Sequence, residues 1–110
     1  MTSQKTLAEI KKYLETQFHL PGEQIDSMLP DFMATLKEHL HTLETALEGG
    51  NLTCLAKAGH TIKGALLNLG LSECAEIALT IEERGKEGDN SINFNSLVDE
   101  LRLRIETLTS

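Results

Sequence analysis

No apolar run in this chain approaches the roughly 18 residues that a membrane-crossing helix requires, and the opening MTSQKTLAEIKKYLE has no hydrophobic segment of the kind that directs secretion. A cytoplasmic location is the expectation. Basic residues are scarce as well: ten Lys and Arg stand against seventeen Asp and Glu, a formal charge of −7. Nucleic-acid phosphates are held by clustered Lys and Arg, so this balance argues against a nucleic-acid binder, and it disfavours docking on anionic lipid. Cysteine is limited to Cys54 and Cys74, which lack the short paired spacing of zinc ligands and are read as reduced core thiols rather than a disulfide. His39 and His41 fall on different sides of their helix and add no ligand set, so neither a metal nor a cofactor is expected. Strands are not expected either, because no stretch alternates with period two. Internal repeats, linkers and low-complexity segments are missing too.

What is present is an ordinary globular composition, 40% apolar and 25% charged, in 110 residues. That length fits one domain spanning residues 1–110, large enough to bury a core and stand as a monomer. Leu7, Ile10, Leu14 and Phe18 recur on one helical face, with Thr2, Ser3 or Thr6 as candidate caps, and His19-Leu20-Pro21-Gly22 stops that helix. Ile25, Met28 and Leu29 suggest a short second helix that Pro30 ends or kinks. Phe32, Leu36, Leu40, Leu43 and Leu47 then mark a long amphipathic helix with Pro30 and Asp31 at its start and Gly49-Gly50 at its close. Beyond Gly70, Ser72 is a candidate cap for a helix burying Cys74, Ala75, Ile77, Ala78 and Ile81, with Glu73, Glu76, Glu82 and Glu83 largely outward. After the turn-rich Gly88-Asp89-Asn90-Ser91, a final helix follows from Phe94 to Leu108. The fold class expected is all-α: an antiparallel four-helix bundle with additional N-terminal helical elements.

The chain is organised around LTCLAKAGHTIKGALLNLG, residues Leu52 to Gly70, with Asn51 as its candidate N-cap. A helix turns about 100° per residue, which gathers Leu52, Leu55, Gly59, Ile62, Leu66 and Leu69 into a buried stripe. His60 falls opposite that stripe, sharing an outward face with Thr53, Ala56, Lys57, Lys63, Gly64 and Leu67. Lys63 lies one turn on, within reach of an anion carried by the imidazole. Gly64, at i+4, removes a side chain that would crowd the ring, at a helix cost of about 1 kcal/mol relative to alanine. Close approach of a second molecule is one reason to keep such a residue, and interhelical packing is the other.

The run His60-x-x-Lys63-Gly64-x-x-x-x-x-Gly70, with Asn68-Leu69 before its last glycine, resembles the signature of histidine-containing phosphotransfer (HPt) domains of multistep two-component phosphorelays. The resemblance covers roughly residues 25 to 108 and implies a helical bundle that carries phosphate on His60. It implies receiver domains of response regulators or hybrid histidine kinases as partners, with Mg²⁺ and the phosphorylated aspartate supplied by the receiver. Lys63 would then stabilise the phosphoryl group, while Ala56, Lys57, Gly64 and Leu67 would meet the partner. Leu67 stands where such modules usually carry a small residue, which bears on partner choice. Glu82 and Glu83 occupy a region where they often show an acidic residue, and both are read as surface or interhelical charges. A kinase dimerisation helix would have an acidic residue directly after the histidine, and Thr61 is there instead. The expected role is a phosphorelay intermediary without turnover of its own. The alternatives are a non-catalytic helical adaptor that binds response regulators or kinases without carrying phosphate, and a bundle used only for oligomerisation.

Overall fold

A computed structural model describes residues 6–109, and Thr2 and Ser3, two of the candidate caps, lie outside that range. The described residues form five helices and no strand: α1 (Leu7–Phe18), α2 (Gly22–Gly49), α3 (Leu52–Asn68), α4 (Ser72–Lys86) and α5 (Phe94–Thr109). Helix α2 packs on α3 and α5, and α4 packs on the same two, which closes a four-helix bundle; α1 lies against α2. The shared core is almost wholly aliphatic, with Leu36, Leu43, Leu55, Ile62, Leu66, Ile81, Leu101 and Ile105 fully enclosed and Ile10 and Leu14 of α1 joining them. None of the helices is long and apolar enough to cross a membrane.

Local chemistry sets most helix ends as expected. Thr6 caps α1 in a reciprocal box with Glu9, each side chain satisfying a backbone N–H of the other residue. Gly50, at φ +71°, closes α2 and donates to the Leu47 carbonyl at 3.1 Å, and the Asn51 side chain accepts from the Cys54 N–H at 3.1 Å to start α3. Ser72 is not the cap of α4: the chain enters that helix from Leu71, without a side-chain cap, and Ser72 is its first residue. Asn93 supplies an unforeseen cap for α5, accepting from the Ser96 N–H at 3.1 Å.

Pro30 does not divide the chain into a short helix and a long one. Helix α2 runs unbroken through it for 28 residues, about 42 Å at 1.5 Å per residue, which accounts for the molecule's 45 Å long dimension. A proline inside a helix forfeits one hydrogen bond and crowds the carbonyl four residues back. Here the ring is exposed, and Ile25, Leu29, Phe32, Leu36, Leu40, Leu43 and Leu47 form one continuous inward or partly inward stripe on both sides of it. Burial on one face outweighs a local defect on the other.

Helix α3 ends on Gly70, at φ +73°, in a Schellman arrangement: Gly70 donates to Leu67 O at 3.0 Å and Leu71 to Leu66 O at 2.9 Å. A second constraint acts at the same residue. A Cβ on Gly70 would sit 2.8 Å from the Tyr13 ring, so the aromatic of α1 lies directly on the end of α3. Termination and packing, rather than chemistry, account for this glycine.

Candidate functional site around His60

The stripe expected to be buried on α3 is buried at Leu55, Gly59, Ile62, Leu66 and Leu69, and His60 emerges on the other side with 67% of its side chain exposed. Gly59 and Gly85 explain how α4 comes to lie beside it. A Cβ on Gly59 would meet the Glu82 backbone N at 3.2 Å and the Ala78 carbonyl at 3.3 Å, while one on Gly85 would meet the Leu52 carbonyl at 3.0 Å. Two glycines, one from each helix, therefore let the backbones of α3 and α4 approach almost to contact.

That approach buries Glu82, contrary to the expectation that it points outward. Its side chain is only 6% exposed and is the sole charged group among the buried residues described. Three partners surround it: His60 Nδ1 lies 3.0 Å from Oε2, Lys86 Nζ donates to the same oxygen at 3.0 Å, and Lys63 Nζ donates to Oε1 at 2.6 Å. Its carboxyl is pulled down from 4.5 to about 2, chiefly by the Lys63 hydrogen bond, with burial opposing and the bonds from Lys86 and His60 assisting.

An ionised carboxylate only accepts hydrogen bonds, so the proton shared with Glu82 belongs to Nδ1. A neutral ring that donates through Nδ1 keeps its lone pair on Nε2. The exposed ring thus turns its protonated nitrogen toward Glu82 and keeps the lone pair on the other. Ring orientation and tautomer are fixed by one buried group on the adjacent helix.

The remaining residues divide. Lys57 is exposed beside His60, and with Glu82 and Lys86 the two line a shallow depression between α3 and α4. Lys63 is partly buried and engaged by Glu82. Gly64 is open, with nothing within 4 Å of an added Cβ, and Leu67 is 50% exposed on the same face. Ala56, expected on the outward face to meet a partner, is buried instead, its Cβ 3.1 Å from the place a Cβ on Gly85 would take. Of the cysteines, Cys74 is buried, which pushes its thiol up, but Cys54 is an exposed free thiol rather than a core residue.

Sequence reasoning missed the part played by Glu82 and Lys86, although both left a trace. Ala75, Ala78, Glu82 and Gly85 recur at three- and four-residue spacing, a small-residue seam in which the glutamate is the odd member. Glu82 and Lys86 are also an i, i+4 pair in the favourable order.

The family model for the Hpt domain matches residues 27–110. This chain belongs to the Hpt-domain family. Membership places it in two-component phosphotransfer signalling, among phosphocarrier modules rather than enzymes and with receiver domains as the interacting class. No curated protein and no solved structure matches the chain. The Hpt span takes in α3 and α4, which carry the whole His60 cluster, and leaves α1 outside it.

Proposed function

We propose that this Hpt protein is a phosphorelay intermediary that takes a phosphoryl group onto His60 Nε2 from a receiver-domain aspartyl phosphate and passes it to a second receiver. The observation that carries the proposal is the exposed imidazole bonded through Nδ1 to the buried Glu82 carboxylate. In the forward step the Nε2 lone pair attacks phosphorus, the Nε2–P bond forms, and the P–O bond to the aspartate breaks with its electron pair leaving on the carboxylate. The ring gains positive charge while Nδ1 keeps its proton, and Glu82 faces that charge across 3.0 Å. The return step reverses each bond change and regenerates the neutral ring.

Lys63 and Lys57 offset the negative charge of the bound phosphoryl group, and Lys86 adds a third cation near it. Mg²⁺ and the aspartate belong to the receiver. Gly64 leaves the ring accessible, and Leu67 supplies apolar contact. Residues 1–110 work as one domain, a cytoplasmic monomer with no turnover of its own.

Incubation with a receiver phosphorylated by acetyl phosphate tests this reading. Acid-labile, alkali-stable label on the wild type, lost in His60→Ala, is the expected result. Tight receiver binding without label would instead make the chain a non-catalytic adaptor.

A further inference from the structure

Two shallow hollows lie along the seam of α2 and α3, one toward α1 and the other toward the start of α3, and His39 of α2 borders both. Thr61, the residue after His60, borders both from the opposite wall. His39 is half-buried there, one helix away from the turn that carries the reactive ring, and packed helix axes lie about 8–10 Å apart. The groups that face it are unusual for a chain with seventeen Asp and Glu. From α3 the titratable side chains are Lys57 and Cys54, and α2 itself adds His41. Helix α1 offers Leu14 and Phe18, the latter exposed although its spacing placed it inward with Leu14. Neither α4 nor α5 contributes to the hollows, Lys37 and Glu38 border neither, and no Asp or Glu lines them. Lys63 and Lys86 stand in contrast, because both are bonded to the Glu82 carboxylate, at 2.6 and 3.0 Å.

We infer that His39 makes phosphotransfer with receivers sensitive to pH: protonated, it places on the α2 side of His60 a positive charge that no carboxylate of this chain offsets, and so strengthens the hold on a phosphorylated receiver. The inference rests on the relay reading above and concerns the regulation of that same site. Histidine is the side chain whose charge ordinarily changes between about pH 5 and 8. With Lys57, Cys54 and His41 as its titratable neighbours, a proton gained by His39 is not neutralised inside the hollows. The partner fixes the sign of the effect. A phosphorylated receiver brings an anionic aspartyl phosphate to His60, so a cation beside the ring speeds encounter and lengthens the life of the complex. Reach is sufficient, since a standard interface covers about 800 Å² on each partner, a disc roughly 16 Å in radius. Acidification thus acts twice and in opposite senses: it takes the lone pair from His60 by protonating the ring, while at His39 it favours docking.

The test follows transfer to the full chain from about pH 5.5 to 8, with a receiver loaded by acetyl phosphate and, separately, with phosphoramidate as a small donor that needs no docking. His39→Gln, His39→Lys and His41→Gln are compared with wild type, with folding checked by circular dichroism. Titration of His60 and of the receiver is common to all four proteins and cancels in their ratios. Wild type and His39→Gln should transfer alike at the alkaline end, and wild type should gain about threefold at the acid end, all of it in KM and less at about 0.5 M salt. His39→Lys, charged throughout, should hold that gain at every pH, while His41→Gln follows wild type and the phosphoramidate ratios stay flat. Normal transfer with a flat ratio of wild type to His39→Gln, or no gain in His39→Lys at alkaline pH, overturns the inference and leaves the relay intact. A ratio that changes equally with phosphoramidate also overturns it, because His39 then acts on the ring and not on docking. An equal effect of His41→Gln overturns the assignment to His39. A wild type labelled by phosphoramidate but by no receiver contradicts the relay reading and removes this inference with it.

Discussion

Along the flank of α3 that faces α4, two glycines bring the backbones together and a buried carboxylate gathers His60, Lys63 and Lys86. Along the flank that faces α1 and α2, α2 packs on α3 and Tyr13 of α1 covers its end, but Gly64 is open, and the groove beside it is lined by apolar and uncharged side chains and His39. The first flank fixes the chemistry of one ring. The second leaves open space beside it. Glycine serves both ends by opposite means, since Gly59 and Gly85 admit a neighbour from the same chain while Gly64 keeps the neighbourhood empty.

The largest difference between the flanks should come from placing the same side chain on each. Gly85→Leu forces a side chain where even a Cβ lies 3.0 Å from backbone, and should lower stability to urea by about 1–3 kcal/mol. Gly64→Leu has space, so its stability should stay at or slightly above wild type, because leucine is the better helix former by up to about 1 kcal/mol. Its receiver-dependent phosphotransfer should nevertheless fall, as the ring's surroundings fill. Equal stability losses in the two variants would mean that the flanks do not differ.

Gly70→Ala is next in size. It puts a Cβ in the left-handed region, at a cost of about 1–2 kcal/mol, and against the Tyr13 ring at 2.8 Å; urea melts should show at least that loss. Glu82→Gln keeps the shape and an acceptor for Nδ1 but removes the charge opposite the ring. Phosphorylation of His60 should slow about tenfold, equivalent to 1.4 kcal/mol, and equally with a receiver or with phosphoramidate, because Glu82 is buried beneath the ring and out of a partner's reach.

Acid gives the most gradual effect. The folded state holds Glu82 at about 2, below its ordinary 4.5, so the folded protein binds its proton less readily than the unfolded chain does. The stability this contributes is fully present above about pH 4.5 and is lost as the pH falls toward 2. Denaturation between those values should be shallower in Glu82→Gln than in wild type. Parallel curves would contradict the ion cluster.

Much of this architecture was legible in the sequence because periodicity and caps dictated it. The bounds of α1 and the inward stripe of α3 follow from apolar spacing, and Asn51 and Gly50 announce the turn between α2 and α3. Pro30 misled because its local cost was weighed without the stripe that runs past it. Ala56 and Glu82 misled for one shared reason: a helical wheel gives direction but not the distance to the next helix. With larger residues at positions 59 and 85, α4 would stand farther off, and Ala56 and Glu82 would keep more of their exposure. Phe18 is the reverse case, a periodic apolar position left outside because α1 ends there, at His19 in the left-handed conformation.

In the relay proposed above, Glu82 holds the proton on Nδ1 of His60 and leaves Nε2 to react. Nitrogen-15 and phosphorus-31 NMR of the ring before and after phosphorylation by a receiver tests it most directly. A protonated Nδ1 in the resting protein and a phosphorus coupled to Nε2 afterwards are the expected results. Phosphorus on Nδ1, or a resting ring protonated on Nε2 alone, would contradict it.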